Sequence, residues 1–269
     1  MIVFPNAKIN LGLNIVRKRP DGYHDIETVF YPIPLCDALE VVPAQATTFR
    51  QSGIPVNLPA EKNLVMKALA KLQAHYEIPQ LAIHLMKAIP FGAGIGGGSA
   101  DAAFMLRLLR DVAKLPIENA RLEQLASELG ADCAFFIRDV PAFATGIGNQ
   151  LEPVALDLSD YYLCLVKPEV AVSTAEAYAE AKPCKPTKSL KELVQLPVRE
   201  WKNVVVNDFE ASVFPKYPEI AEVKERMYAA GAVYAAMSGS GSSVFGIFEA
   251  PTDLKASFSG YFVWEGRLK

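Results

Sequence analysis

The 269-residue sequence predicts an α+β fold in two domains. Segments with strand and helix patterns follow one another without the repeating strand–helix order that a doubly wound parallel sheet requires. The length suits two modest domains at roughly 100–200 residues each. Hydrophobic content of 51% beside 21% charged residues is enough apolar material to give such domains a buried core.

Residues 6–17 and 23–33 are rich in Ile, Leu, Val, Phe and Tyr, and they flank the turn sequence Arg19-Pro20-Asp21-Gly22, which predicts a hairpin. Arg17-Lys18-Arg19 reads as its solvated end. Glu61 to His75 carries Val65, Ala68, Leu69 and Leu72 at helical spacing, and Leu81 to Lys87 reads as a strand. Five of the seven residues from Gly92 to Gly98 are glycine, after which Ser99 is expected to cap a helix with Ala103, Leu106 and Leu109 or Arg110 on successive turns. A second helix, Glu118 to Leu129, aligns Leu122, Leu125, Ala126 and Leu129 and should stop at a left-handed Gly130. Asp132 follows, then Cys133 to Ile137 as a buried strand and Pro141 to Leu151 as loop and edge strand. The domain boundary is placed near 155, giving domains 1–155 and 156–269.

Beyond it, Tyr161 to Val166 is a strand, and Ser173-Thr174-Ala175-Glu176 has capping-box spacing for a helix through Ala181. Lys182 to Lys191, with two prolines and four lysines, reads as a solvated loop. Pro218 opens a helix ending at Gly231, and Val233 to Met237 is a strand. A second glycine loop, Ser238 to Ser243, then leads into strand Val244 to Phe248.

A formal charge of −3 lacks the basic excess of a nucleic-acid binder but leaves a small anionic ligand open. No apolar run approaches the roughly 20 residues a membrane span needs. Pro5 and Lys8 interrupt the N-terminus where a signal peptide needs an apolar run, so a cytoplasmic location is expected. Cysteines 36, 133, 164 and 184 form no C-x-x-C pair and read as free thiols in apolar sites.

Gly92-Ala93-Gly94-Ile95-Gly96-Gly97 satisfies G-x-G-x-x-G, a pattern shared by several phosphate sites. A dinucleotide fold wants a strand running directly into the first glycine, but Pro90 and Phe91 intervene. A P-loop wants Lys and then Ser or Thr, whereas this loop ends Gly98-Ser99-Ala100-Asp101. The His-Arg-Asp and Asp-Phe-Gly motifs of protein kinases are missing from the sequence. What remains is an anion cradle: Gly94, Gly97 and Gly98 would let backbone N–H groups approach a phosphate at a helix N-terminus.

Three blocks resemble the GHMP small-molecule kinases: Pro5 to Leu13, continuing through Arg19 to His24 and Glu27 to Phe30; Pro90 to Ala103; and Met237 to Phe245. Leu129 to Phe136 and Asn207 to Glu210 are similar to further segments of that family. Ala100 stands where the family often has Ser. The resemblance implies a two-domain GHMP kinase fold, with an N-terminal domain like ribosomal protein S5 domain 2 and a C-terminal ferredoxin-like α/β sandwich. It further implies ATP with Mg²⁺ as cofactors and a small-molecule substrate. The segment Asp21-Gly22-Tyr23-His24 points to a cytidine diphosphate-linked methylerythritol phosphorylated on its 2-hydroxyl, with homoserine or mevalonate as the alternative acceptor. No nucleic-acid or membrane partner is expected, and the chain would be a monomer or homodimer.

Taken alone, Lys8 reads as a cation snorkelling from an edge strand and Asp132 as a polar turn residue. The resemblance makes Asp132 the base for the acceptor hydroxyl and Lys8 the cation that lowers that hydroxyl's pKa. It gives Pro90, Gly92, Gly94, Gly96, Gly97, Gly98 and Ser99 to ATP. It places Tyr23 and Tyr178 on either side of a cytosine, with His24 reading its edge and Asn10 and Thr174 near substrate. Tyr178 reads equally well as helix packing, and the other two histidines read as structural.

Overall fold

A computed structural model describes residues 1–56 and 58–269. Its elements begin with β1 (Ile2–Val3), β2 (Asn6–Lys18), β3 (His24–Cys36), β4 (Ala38–Pro43), β5 (Thr48–Gly53), α1 (Leu64–Gln73) and β6 (Leu81–Lys87). They continue with α2 (Gly97–Val112), α3 (Asn119–Ser127), α4 (Phe135–Arg138), β7 (Ala142–Thr145), β8 (Gln150–Pro153), β9 (Tyr162–Lys167) and α5 (Thr174–Ala179). The last are α6 (Leu190–Leu193), α7 (Glu210–Val213), α8 (Pro218–Ala229), β10 (Tyr234–Met237), β11 (Val244–Phe248) and β12 (Phe262–Arg267). Packing sorts them into two units that interleave along the chain. The first holds Met1–Ala7, Leu35–Phe91 and Gly96–Val140, and the second holds Lys8–Pro34, Gly92–Ile95 and Pro141–Lys269.

The first unit is built on the sheet β1-β4-β6-β5, in which β6 runs antiparallel to β4 and parallel to β5. Strand alternation turns Leu81, Ile83, Leu85 and Lys87 of β6 inward, so a lysine occupies a core register. Helix α1 buries Val65, Ala68, Leu69 and Leu72, as its spacing predicts, and Asn63 caps it by accepting from the Val65 N–H at 2.9 Å. It packs against α2.

Three local expectations in this unit need correction. Ser99 does not cap α2 but sits in its first turn; the N-cap is Gly96 at φ +74°, a left-handed value that glycine adopts without strain. Gly130 is not a left-handed terminator, because α3 ends at Ser127 with the right-handed Glu128 as its C-cap. A Cβ on Gly130 would instead lie 3.2 Å from Cys133 Sγ. The segment Cys133–Ile137 is buried, but it coils into a turn and helix α4, with Phe136 N–H donating to Cys133 O at 3.2 Å. Periodicity alone does not separate a short buried helix from a buried strand.

In the second unit β2, β3, β7 and β8 form one sheet, apart from strand ends at residues 6–7 and 35–36 that pack with the first unit. The predicted turn closes β2 onto β3 with Arg19 N–H donating to Tyr23 O at 2.8 Å. At this exposed tip Arg17 pairs with Asp25, and Arg19 pairs with Asp21 at 2.9 Å and Asp25 at 3.1 Å. A second, antiparallel sheet has the order β10-β11-β9-β12. Ile220, Val223 and Met227 of α8 share its core with Cys164, Val166, Ala235, Met237 and Val244. Residues 205–208 run along β2, with Leu13 N–H donating to Val206 O and Asp208 N–H to Leu13 O, both at 2.8 Å.

Ser173 caps α5 as expected, accepting from the Glu176 N–H at 3.1 Å. The lysine-rich stretch is exposed over most of its length, yet Leu190 within it is fully buried and starts α6 behind its cap Ser189. Cys133 and Cys164 are the buried thiols, whereas Cys36 is half-buried and Cys184 is exposed. No helix of the described residues is long and apolar enough to cross a membrane.

Candidate functional site

Lys8 is 3% exposed, so it does not snorkel from an edge. Its ammonium donates to Asn10 Oδ1 at 2.6 Å and Gly94 O at 3.4 Å, and it lies 4.8 Å from the centre of the Phe30 ring. These are a polar amide, a carbonyl dipole and an aromatic face, each attractive to a cation. Asn10 is fixed in turn: its Nδ2 donates to Thr28 Oγ1 at 2.9 Å, and that hydroxyl donates to Gly12 O at 2.6 Å. Ser238 Oγ closes the network, accepting from the Asn10 N–H at 3.2 Å and donating to Gly94 O at 3.0 Å. A buried amide so constrained can present Oδ1 to the lysine in one orientation only.

The second glycine loop explains the first. At φ +73° Gly94 is left-handed, and a Cβ there would lie 2.2 Å from Ser238 O and 2.9 Å from Gly241 O. Gly94 is therefore glycine because the 238–241 backbone packs against it, a sufficient reason without any ligand. Asn207 holds that loop, its Nδ2 donating to Met237 O at 2.7 Å and Gly239 O at 2.9 Å. Gly97 has a similar explanation in the first unit, where a Cβ would meet Ile89 Cγ2 at 2.6 Å. Gly92 and Gly98 differ: a Cβ on Gly92 meets nothing within 4 Å, and one on Gly98 meets only Leu64 Cδ1 at 3.7 Å. At these two positions the open space is what a ligand-facing backbone requires.

Within the first unit, Pro90 is buried ahead of the loop, and Gly97, Gly98 and Ser99 form the first turn of α2. Their N–H groups belong to the unsatisfied set at a helix start, where the dipole favours an anion. The Ser99 hydroxyl bonds the Cys133 thiol, and burial pushes that thiol up to about 12, so it stays protonated near neutral pH. This bond brings the turn that carries Asp132, which is half-buried, against the first turn of α2. A carboxylate and a helix N-terminus thus stand together in one unit.

His24 stacks on Tyr178 in the second unit, with ring centres 4.6 Å apart and planes at 11°, and Phe209 meets Tyr178 edge-on at 4.7 Å. Burial, with a smaller contribution from Lys18, holds the His24 pKa below its usual value, which favours the neutral imidazole with one donor and one acceptor edge. Tyr23 is 62% exposed. Thr174 opens α5 with its hydroxyl 3.2 Å from Ser240 Oγ, so a residue of the second glycine loop sits beside it. His84 shares a hydrogen bond with Ser52 at 2.8 Å, a structural role for that histidine.

The expected residues therefore gather into two sets. Lys8, Asn10, Tyr23, His24, Gly92, Gly94, Thr174 and Tyr178 belong to the second unit, and Pro90, Gly96, Gly97, Gly98, Ser99 and Asp132 to the first. Sequence reasoning did not assign Thr28, Asn207 or Ser238 to the site. Their signal is faint, since a threonine in an apolar strand and an asparagine in a loop are common. Only the fold shows that Thr28 and Ser238 meet at Asn10, the partner of Lys8, and that Asn207 holds the loop carrying Ser238.

Comparison with known proteins adds a second line of argument. The family model for the GHMP kinases N terminal domain matches residues 63–146, and that for the GHMP kinases C terminal matches residues 187–259. The chain is 65% identical to a 4-diphosphocytidyl-2-C-methyl-D-erythritol kinase of Parabacteroides distasonis, with 100% of each covered. A crystal structure of a 4-(cytidine 5'-diphospho)-2C-methyl-D-erythritol kinase superposes with a TM-score of 0.84 at 32% identity, covering 98% of each chain. Homoserine kinase from Cytophaga hutchinsonii superposes with a TM-score of 0.67 over 98% of this chain and 94% of its own, but at 19% identity this likeness concerns the fold alone.

Proposed function

The chain belongs to the GHMP kinases, and from that premise we propose that it uses ATP to phosphorylate the 2-hydroxyl of 4-diphosphocytidyl-2-C-methyl-D-erythritol, in non-mevalonate isoprenoid precursor biosynthesis. One observation carries the reading: 65% identity along the whole length to a relative of that name. Homoserine and mevalonate as acceptors have only fold-level likeness behind them.

Phosphoryl transfer asks little covalent chemistry of a protein and much alignment and charge compensation. In this reading Asp132 accepts the proton of the acceptor hydroxyl. Lys8, held by Asn10 Oδ1 and Gly94 O, stabilises the developing alkoxide and lowers the pKa of that hydroxyl. Asn10 acts through Lys8 as a positioning residue. The ATP phosphates would lie at the first turn of α2, met by backbone N–H groups around Gly92, Gly96, Gly97 and Gly98 and by Ser99, with Pro90 and Gly94 fixing the loop. Mg²⁺ would arrive on the nucleotide and supply charge neutralisation. Among the described residues no group of three or more His, Cys, Asp or Glu side chains is arranged to hold a metal, so no protein cage is assigned to it.

For the acceptor, Tyr23 and Tyr178 would embrace the cytosine while His24, neutral at pH 7, offers a donor and an acceptor to its edge. Thr174 would stand beside this substrate. A chain boundary near 155 lies between the two family-model matches, in the interval 147–186, and is proposed as the junction of the family's two domains. A cytoplasmic location and a monomeric or homodimeric state belong to the same reading. The test is product analysis with ATP and a panel of cytidine diphosphate-linked and free alcohols. Phosphorylation of homoserine or mevalonate in preference to the cytidyl compound would overturn the assignment.

A further inference from the structure

A buried charge cluster lies where β6 leads toward the glycine loop, and none of the roles above uses it. The Lys87 ammonium sits between two carboxylates, touching Asp37 Oδ2 and lying 2.7 Å from Asp101 Oδ2. All three side chains are 5% exposed or less. The other oxygen of Asp37, Oδ1, accepts from the Ala88 N–H at 2.6 Å and the Ile89 N–H at 2.8 Å, so it clamps the chain as it leaves β6. Asp101 is the fifth residue of α2. A Cβ on Gly97 would lie 3.5 Å from Lys87 Nζ, which puts the ammonium directly beneath the first turn of that helix. The cluster thus grips the glycine segment from both sides, through Ala88 and Ile89 before it and through Asp101 behind it.

Two carboxylates and one ammonium leave a net charge of −1 in a water-poor place, an arrangement that desolvation opposes. The Oδ1 atom of Asp101 takes no hydrogen bond from any described residue. Burial pushes the Asp101 carboxyl up to about 7; Lys87 opposes this and Asp37 adds to it. The buried side chains of the other elements packed on α2 are apolar, among them Leu69 and Leu72 of α1, Leu122 and Leu125 of α3, Phe135 and Phe136 of α4, and Leu39 and Val41 of β4, while their charged residues such as Lys71, Glu123, Arg138 and Glu40 are not buried. Two titratable groups stand near its first turn: Cys133, which stays protonated, and Asp132 on the adjoining turn.

We propose that Lys87, Asp37 and Asp101 form a proton-linked positioning strut, which fixes the first turn of α2 and takes a proton from solvent onto Asp101 when nucleotide phosphates bind there. The proposal rests on the reading of the glycine loop as the ATP site. An ionised carboxylate one turn inside the helix opposes the dipole that attracts the phosphates; a protonated one does not. By linkage, phosphate and proton then favour each other, so ATP binding takes up protons and weakens as pH rises.

The experiment is calorimetric titration of the full chain with Mg-ATP in Pipes and in Tris, whose ionisation heats differ, at several values across neutral pH. Wild type is expected to take up a fraction of a proton, with ATP affinity falling several-fold as pH rises through neutrality. Asp101→Asn keeps the shape without the charge, and it should lose that uptake and flatten the affinity profile while acceptor affinity stays as in wild type. Equal uptake in the variant, or none in wild type, overturns the strut. Should Asp101→Asn fail to fold, carbon-13 carboxyl shifts of aspartate-labelled wild type decide instead. One aspartate must titrate near neutrality and move upward with ATP, and the absence of such a group overturns the proposal. Failure of wild type to bind ATP at all would overturn the phosphate-site reading and this proposal together, whereas binding without the Asp101→Asn difference overturns this proposal alone.

Discussion

Each unit buries a lysine on a strand, and the two are held in different ways. Within its unit Lys8 in β2 meets an amide oxygen, a carbonyl and an aromatic face, groups that aim a cation. Lys87 in β6 is wedged between two carboxylates that more than cancel it. The contrast assigns the lysines different work. A cation set beside the glycine loop is placed to act on a hydroxyl losing its proton, as proposed for Lys8, while a cation locked between carboxylates of two other elements holds those elements in place. Burial does not distinguish them, since both are almost wholly enclosed.

The largest effect expected from this contrast is on turnover. Lys8→Ala and Asp132→Asn should each lower kcat by about 10²–10⁴, the range for groups acting on one proton transfer, with the fold and ATP affinity retained. The double variant should fall well short of the product of the two losses, because both act on the same step. Single-turnover kinetics with quenched product analysis checks this. Near-normal turnover in Lys8→Ala would erase the distinction between the two lysines.

A change at Gly94 should disturb Lys8 from a distance. Gly94→Ala puts a Cβ 2.2 Å from Ser238 O at a left-handed φ, a strain of about 1–3 kcal/mol, and it displaces the carbonyl that both Lys8 and Ser238 use. Melting temperature and kcat should therefore fall together. An unchanged melting temperature would show that the two glycine loops yield freely to one another.

The His24–Tyr178 stack sharpens the comparison on the acceptor side. Tyr178→Ala should cost about 1–3 kcal/mol of acceptor binding, the range for base stacking, while ATP affinity hardly moves. His24→Ala should erode discrimination between cytidine- and uridine-linked acceptors, because an edge-reading group is what makes the wrong base costly. Acceptor and ATP Kd values measured side by side decide. Wild-type acceptor affinity in both variants would return these rings to a packing role.

The remaining effect is on the pH dependence of stability. Asp101 has a folded pKa near 7 against 3.8 for the free side chain, so between those values the native state holds a proton that the unfolded chain lacks. Its contribution is fully present at acid pH and is lost as pH rises through neutrality. Asp101→Asn should flatten the decline in urea-unfolding stability between pH about 4 and about 7. A slope as steep as that of wild type would place the proton elsewhere.

Local chemistry made much of the fold legible. The turn at Arg19–Gly22, the buried face of α1, the strands Leu81–Lys87 and Val244–Phe248 and the capped start of α5 are all present. Each depends on residues a few positions apart, where periodicity and capping carry the information. The failures come where a partner far along the chain decides. Cys133–Ile137 has the composition of a buried strand or a buried helix, and its packing against α2 and α3 makes it a helical turn. Ser99 has the right side chain for a cap, but three successive glycines let α2 start earlier.

In the site, the residue types and their order along the chain were readable: a lysine in an apolar strand, a glycine-rich loop before a helix, an aspartate after one, and a tyrosine–histidine pair on a turn. The sequence marks Leu81 to Lys87 only as a strand; the structure shows that Lys87 shares the inward register of Leu81, Ile83 and Leu85. Tertiary structure alone decided what those residues touch. It buried Lys8 against Asn10 and Phe30, set Lys87 between Asp37 and Asp101, and laid Ser238 across Gly94, 144 positions away. Backbone preferences act over a few residues, whereas the cost of burying a charge or the room for one Cβ depends on every atom that folding brings alongside.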